Sequence, residues 1–316
     1  MISLWKTYQA LKTKGILGIN QRNADFIIRY NQRKYYPLVD DKIMTKTLAI
    51  KDGIAVPKLY ATLKTDHDTH HLEQILANRT DFVIKPARGA GGDGILVITN
   101  RHGERFRKVS GALLHLDDIR HHISNILSGV YSLGGQRDQA MIEYRVQFDP
   151  LFKKISYQGV PDIRIIVLKG YPAMAMVRLP TRLSDGKANL HQGAIGVGID
   201  LTTGITLEGV WMNDPIHEHP DTGYAVPGLQ IPHWDHFLNL AARCYELTQL
   251  GYLGVDIILD KDKGPLMLEL NARPGLNIQI ANNSGLLHRL RFIEQQNQQR
   301  TANERIAFIK QHFAKI

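Results

Sequence analysis

The stretch Gly254-Val255-Asp256-Ile257-Ile258-Leu259, the polar turn Asp260-Lys261-Asp262-Lys263-Gly264-Pro265 and the run Leu266-Met267-Leu268-Glu269-Leu270-Asn271 constrain the fold more than any other part of the sequence. Two β-prone runs around such a turn predict an antiparallel hairpin. With the turn centred between Asp262 and Lys263, Asp256 falls opposite Glu269, their Cβ atoms about 5 Å apart. Side chains alternate along a strand, so Asn271 shares the face of Glu269, while Ile257, Leu259, Leu268 and Leu270 form an apolar back. Two carboxylates and an amide oxygen then converge. Like charges this close call for a cation, and hard oxygen ligands without Cys or His suit Mg²⁺ or Mn²⁺. A solvated face whose carboxylates pair with lysines is the other reading of the same pattern.

A second hairpin is predicted from Pro161-Asp162-Ile163-Arg164-Ile165-Ile166-Val167-Leu168 and Ala173-Met174-Ala175-Met176-Val177-Arg178, split by Lys169-Gly170-Tyr171-Pro172. Pairing about Gly170 sets Asp162 opposite Arg178, with Arg164 on the same face and Ile163, Ile165 and Val167 behind it. This face reads either as a surface ion-pair cluster or as a clamp for phosphate oxygens, which the guanidinium fork matches bidentately. In a third segment, the buried run Val83-Ile84-Lys85 passes through Gly89, Gly91, Gly92 and Gly94 into Ile95-Leu96-Val97. Backbone N–H groups of such a loop can approach a phosphate with no side chain in the way, although a plain hairpin turn fits nearly as well. It is not a Walker loop: there is no Gly-Lys-Ser/Thr triplet, and a strand follows where a helix is required. Gly193, Gly196 and Gly198 fail the dinucleotide fingerprint for the same lack of context.

The chain has 316 residues, enough for one large domain or two to three interlocked ones. Its 43% hydrophobic and 22% charged residues exclude disordered, collagen-like and coiled-coil classes. The formal charge of +9 suits a phosphorylated or acidic partner. Cys244 is the sole cysteine, which excludes a disulfide or a Cys-based zinc site within one chain; its apolar helical pattern marks it as a core residue. No stretch approaches a membrane span and the first residues carry no apolar signal core, so a cytoplasmic location without membrane insertion is expected.

Periodicity predicts helices over 41–52, 68–78, 116–128 and 233–250, strands over 81–85, 95–98, 141–143 and 254–271, and a strand-rich region from 162 to 213. The run Gln295 to Gln299 is placed in a polar C-terminal helix. Elements mixed without strict alternation predict an α+β arrangement of two small sheets. His217 and His219 beside Asp221 read as a solvated loop rather than a zinc site, and His70-His71 and His121-His122 as exposed histidines.

In chain order, Asp41-Lys42 before a helix, Val83-Ile84-Lys85, Met141-Ile142-Glu143, Asp162-Ile163-Arg164, Ala188-Asn189-Leu190-His191-Gln192-Gly193, Gly254-Val255-Asp256 and Leu268-Glu269-Leu270-Asn271-Ala272-Arg273-Pro274-Gly275-Leu276 resemble the ATP-grasp superfamily, and within it the RimK-like alpha-L-glutamate ligases. The resemblance implies an ATP-grasp fold, two α+β subdomains gripping ATP, with a short N-terminal extension over 1–38, the ATP-grasp domain over 39–290 and a helical tail over 291–316. It implies that a carboxylate is activated as an acyl-phosphate with release of ADP and is then attacked by an amine, in a peptide-bond-type ligation that uses glutamate or another amino acid. Lys42 and Lys85 would neutralise the phosphates under a loop containing Gly91 and Gly92. Backbone around Ile142 would meet the adenine edge with Glu143 nearby, Asp162 would line the nucleotide pocket, and Lys187 and Asn189 would hold phosphate and metal-side groups. Arg178, with Arg164 and Lys85, would serve phosphoryl transfer, and Asp256, Glu269 and Asn271 would hold two Mg²⁺ or Mn²⁺.

Departures from the family pattern touch the substrate. Lys187 stands where these ligases have arginine, and Arg273 where they have a small residue; Arg273, with His191, is a candidate for binding a substrate carboxylate. The carboxylate substrate and the amine acceptor, whether small molecule, peptide or protein, are not specified by these residues. A cell-envelope or sugar-linked substrate is an alternative. So is a basic nucleic-acid- or ribosome-binding protein, suggested by Arg29-Tyr30-Asn31-Gln32-Arg33-Lys34-Tyr35-Tyr36; it leaves the clustered carboxylates without a role.

Overall fold

The computed structural model describes residues 2–89 and 91–313. The chain forms two compact units: Asp40–Thr47 with Val56–Gln147, and Met1–Val39 with Leu48–Ala55 and Phe148–Ile316. Each is built on one antiparallel sheet with helices, so the molecule is α+β.

The smaller unit carries β1 (Leu59–Leu63), β2 (Phe82–Pro86), β3 (Leu96–His102), β4 (Arg105–Lys108), β5 (Leu113–Leu114) and β6 (Ala140–Glu143), in the order β1-β6-β2-β3-β4-β5. Its core joins Phe82, Ile84, Ile98, Phe106 and Ile142 to Ile119, Ile123 and Ile126 of the helix Leu116–Leu127. That helix buries its residues at i, i+4 and i+7, the spacing of one helical face. A capping box opens it, with the His115 N–H donating to Asp118 at 2.8 Å. Asp41 caps the helix Lys42–Lys51, its carboxylate accepting from the N–H groups of Ile43 (3.0 Å) and Met44 (3.1 Å).

The larger unit carries β7 (Asp162–Leu168), β8 (Tyr171–Leu179), β9 (Ile195–Ile199), β10 (Thr206–Trp211), β11 (Asp214–Ile216), β12 (Tyr252–Asp260) and β13 (Gly264–Asn271), in the order β11-β10-β9-β8-β7-β12-β13. The helix Trp234–Thr248 packs on it through Phe237, Leu240, Ala241 and Cys244, all buried. Cys244 is thus the core residue its helical pattern predicts, and burial pushes its thiol pKa far up.

Both predicted hairpins form, each with one β-bulge. The tight turn at β7–β8 uses Lys169 and Gly170, both at positive φ, which matches the twist of the flanking strands. Regular pairing from that turn would set Asp162 against Val177. A register shift between Ile166 and Val167 moves the outer half by one residue and sets Asp162 against Arg178. In β12–β13 a shift between Asp256 and Ile257 likewise sets Asp256 against Glu269 rather than Leu268.

Three local expectations change. The helix predicted over 68–78 is a 3₁₀ segment, Asp66–His71, followed by the helix Leu72–Leu76. Gln295 to Gln299 lies between the helices Leu287–Glu294 and Ala302–Phe313, outside both, because the run lacks apolar residues to pack. His219 is fully buried rather than solvated: its Nε2 lies 3.0 Å from the Pro180 carbonyl and its Nδ1 accepts the Asp221 N–H.

Candidate active site

The centre of the larger sheet carries a ladder of charge across β8, β7, β12 and β13. Asp256 faces Arg164 on one side and Glu269 on the other. Arg164 donates from Nε to Asp256 Oδ1 (2.7 Å) and from Nη2 to Oδ2 (2.6 Å), the bidentate fork that fixes both partners. Arg178 does the same to Asp162, Nε to Oδ1 at 2.5 Å and Nη2 to Oδ2, and its Nη2 also donates to Asp256 Oδ2 at 2.8 Å. Asp162 and Asp256 are 8% and 4% exposed, so these pairs lie in a weakly screened environment.

Two carboxylates share two guanidiniums, and their protonation is pulled apart. Burial raises the pKa of both. At Asp256 the guanidiniums of Arg164 and Arg178 outweigh burial and hold the carboxyl at about 2. At Asp162 burial wins over Arg178, helped by repulsion from Asp256, and the carboxyl is pushed up to about 6. Arg178 is held more firmly protonated, because the two carboxylates outweigh its burial.

Among the described residues no three His, Cys, Asp or Glu side chains converge as a metal site. The predicted set is instead two carboxylates and an amide, and its chemistry fits a hard cation. Asp256 Oδ1 accepts one hydrogen bond from Arg164 and keeps a lone pair, whereas Oδ2 accepts two. Asn271 Oδ1 accepts the Arg273 N–H at 2.8 Å and likewise keeps a lone pair.

The smaller unit holds a second cluster. Glu143, 3% exposed at the end of β6, accepts from Lys85 Nζ and Lys46 Nζ, each at 2.5 Å. Burial works against its charge, but the two ammonium groups lower its pKa on balance. Lys46 also donates to the Pro57 carbonyl at 2.6 Å, and burial depresses its pKa to about 8. In the sequence only its position one helical turn after Lys42, on the same face, marks Lys46. Lys42 Nζ donates to the Gly89 carbonyl at 2.7 Å, at the entry to the glycine-rich loop.

That loop is held by groups on both flanks. Asp138 accepts the Arg88 N–H (3.1 and 3.0 Å), the Ser132 hydroxyl (2.8 Å) and the Gln139 N–H (2.7 Å). Gly91, Gly92 and Gly94 adopt φ of +68°, +85° and +75°, a region closed to most side chains. His122 Nε2 lies 3.0 Å from the Gly94 carbonyl and the ring packs on Tyr131, so this half-buried histidine differs from the exposed one expected.

The remaining predicted residues sit as follows. Ile142 lies in mid-sheet, with β1 and β2 pairing its strand on either side. Asn189 caps a short 3₁₀ turn by accepting the His191 N–H at 3.0 Å, and Lys187 lies in the preceding turn, half-buried. His191 is exposed, its Nε2 3.4 Å from Asn277 Nδ2. Arg273 is exposed, its guanidinium 4.7 Å from the centre of the Tyr36 ring. The structure therefore brings together Asp162, Arg164, Arg178, Asp256 and Glu269 in one unit, and Lys85 with Glu143 in the other. Asn189 and His191 contact each other, and His191 also approaches Asn277.

No curated protein matches the chain. Among solved structures, the ATP-grasp ligase PsnB complexed with a minimal precursor aligns at TM-score 0.45 with 16% identity, over 88% of this chain and 63% of that one. The chain thus spans less than two thirds of the length of PsnB. D-alanine–D-alanine ligase from Bacillus anthracis aligns at TM-score 0.47 with 12% identity, over 88% and 70%, and the D-cycloserine synthetase DcsG at 0.44 with 12% identity, over 82% and 69%. The family model described as sugar-transfer associated ATP-grasp matches residues 21–295, which takes in both charged clusters and the glycine-rich loop. The α+β architecture is the ATP-grasp fold, and the chain belongs to the sugar-transfer associated ATP-grasp family.

Proposed function

We propose that the chain is an ATP- and Mg²⁺-dependent ligase that joins a carboxylate to an amine. The observation that carries this reading is the buried ladder Arg178–Asp162 and Arg164–Asp256 with Glu269 opposite, because a buried array of paired charges beside hard oxygen donors suits a polyanionic substrate held with a cation. Bound Mg²⁺ supplies charge neutralisation at phosphate oxygens.

The chain's own groups would act by positioning and by charge. Asp256, through Oδ1, with Glu269 and Asn271, would hold the cation, and the arginines orient Asp256. Arg178 would stabilise charge on the transferring phosphoryl group, and Lys85 and Lys42 charge on the nucleotide phosphates. A carboxylate oxygen of the substrate forms a bond to the γ-phosphorus while the bond from that phosphorus to the ADP oxygen breaks. The amine nitrogen then attacks the acyl carbon, phosphate departs, and the nitrogen loses a proton. No side-chain nucleophile takes part.

The family's description as sugar-transfer associated supports a sugar-linked or cell-envelope compound as one of the two substrates joined. Calorimetric titration of Mg²⁺-ATP into the purified protein, repeated with Glu269→Ala and Lys85→Ala, tests the nucleotide site. Binding that requires Mg²⁺ and weakens in both variants is expected. Absence of binding to the unaltered protein, with or without carboxylate and amine compounds present, would sink the reading.

A further inference from the structure

In the larger unit, residues of the N-terminal arm and the chain just after β13 enclose a cleft of ≈ 700 Å³, within the range of small-molecule sites. Three arginines line it: Arg22, Arg33 and Arg273. No Asp or Glu lines it, and none of the three has a carboxylate within ion-pair distance among the described residues. Elsewhere in the same unit Arg164, Arg178, Arg291 and Arg305 each find one. A concave wall with three uncompensated positive charges concentrates anions.

Arg22 and Arg273 are presented rather than loose. Arg22 is buried, its Nη1 donating to the Pro274 carbonyl at 2.8 Å and its Nε and Nη2 to Asn23 Oδ1 at 3.1 and 2.7 Å. It opens the π-helical stretch Arg22–Ile27, and a widened turn of this kind is frequent at functional sites. The Tyr36 ring backs the Arg273 guanidinium. Asn31 anchors the arm: its Nδ2 donates to the carbonyls of Tyr252 (2.7 Å) and Ala272 (3.0 Å), and its Oδ1 accepts the Tyr252 N–H (2.8 Å). The Arg273 N–H bonds Asn271 Oδ1, so the cleft adjoins the strand that carries Glu269 and Asn271.

We infer that this cleft binds a small dicarboxylate substrate, one carboxylate held by Arg22, Arg33 and Arg273 and the other left to react. Guanidinium forks match carboxylates, and Ile27 and Ile28 on the wall suit a methylene body. The inference deepens the ligase reading and rests on it.

The test is calorimetry on the full chain with glutarate, with glutaramate, in which one carboxylate is an amide, and with a single-stranded oligonucleotide. Each is titrated into the unaltered protein and into Arg273→Gln and Arg33→Gln, exposed positions whose replacement leaves the core intact. Glutarate is expected to bind about tenfold more tightly than glutaramate and to lose about tenfold in each variant, a factor worth about 1.4 kcal/mol. Mg²⁺-ATP binding is expected to persist in both variants. Equal binding of the two acids, no effect of the variants, or displacement of glutarate by the oligonucleotide overturns the inference. ATP binding without glutarate binding defeats this inference alone; glutarate binding without ATP binding defeats the ligase reading.

Discussion

Arg164 and Asp256 face each other across adjacent strands of the larger sheet, with both carboxylate oxygens in the grip of one guanidinium. Asp256 also holds Arg178, so its removal leaves the nearly buried Arg164 without a carboxylate and Arg178 with Asp162 alone. Asp256→Asn is expected to destabilise the protein by about 3–5 kcal/mol, the scale of breaking a buried pair, measured by urea unfolding. Arg164→Lys keeps the charge but loses the fork, and should lower ATP turnover at least about tenfold with a smaller cost in stability.

The raised carboxyl of Asp162 makes a pH prediction. Its folded pKa of about 6 exceeds its ordinary 3.8, so between these values the folded state binds more protons than the unfolded one. Stability from this group is therefore greatest below pH 4 and falls as pH rises to 6, by about 3 kcal/mol. Asp162→Asn should remove this fall, seen as the difference between variant and unaltered protein in urea midpoints at pH 4.5 and 7. Identical pH profiles would refute it.

Glu143, Lys46 and Lys85 form a buried triad whose parts are costly to remove singly. Lys46→Met and Glu143→Met should each destabilise by about 3–5 kcal/mol. The two together should cost clearly less than the sum, because neither leaves an unpaired charge facing the other. Additive losses in a double-mutant cycle would show that the contact is not energetically coupled.

Gly254 lies opposite Asn271, and a Cβ there would stand 2.7 Å from Pro274 Cβ. Gly254→Ala must therefore shift Pro274, whose carbonyl holds Arg22. The expected result is weaker glutarate binding with Mg²⁺-ATP binding kept, and a loss of about 1–3 kcal/mol from overpacking, both measurable on one preparation.

The two sheets, the hairpins and the alternation that puts Asp162 with Arg164 on one face of its strand, and Glu269 with Asn271 on one face of theirs, follow from the sequence alone, because alternation along a strand is a local property. Lys85 and Glu143 were legible as ends of buried strands, but not as partners, and Lys46 was hidden in a polar helix whose burial depends on what packs over it. The bulges beyond Ile166 and Asp256 were invisible too, although each decides which residue faces the carboxylate, since a bulge reflects how a whole sheet bends. Only tertiary structure decided that Asp256 takes two arginines and Asp162 one, which sends their pKa values in opposite directions. It alone joined Arg22, Arg33 and Arg273 in one cleft, for no local rule relates positions so far apart in the chain.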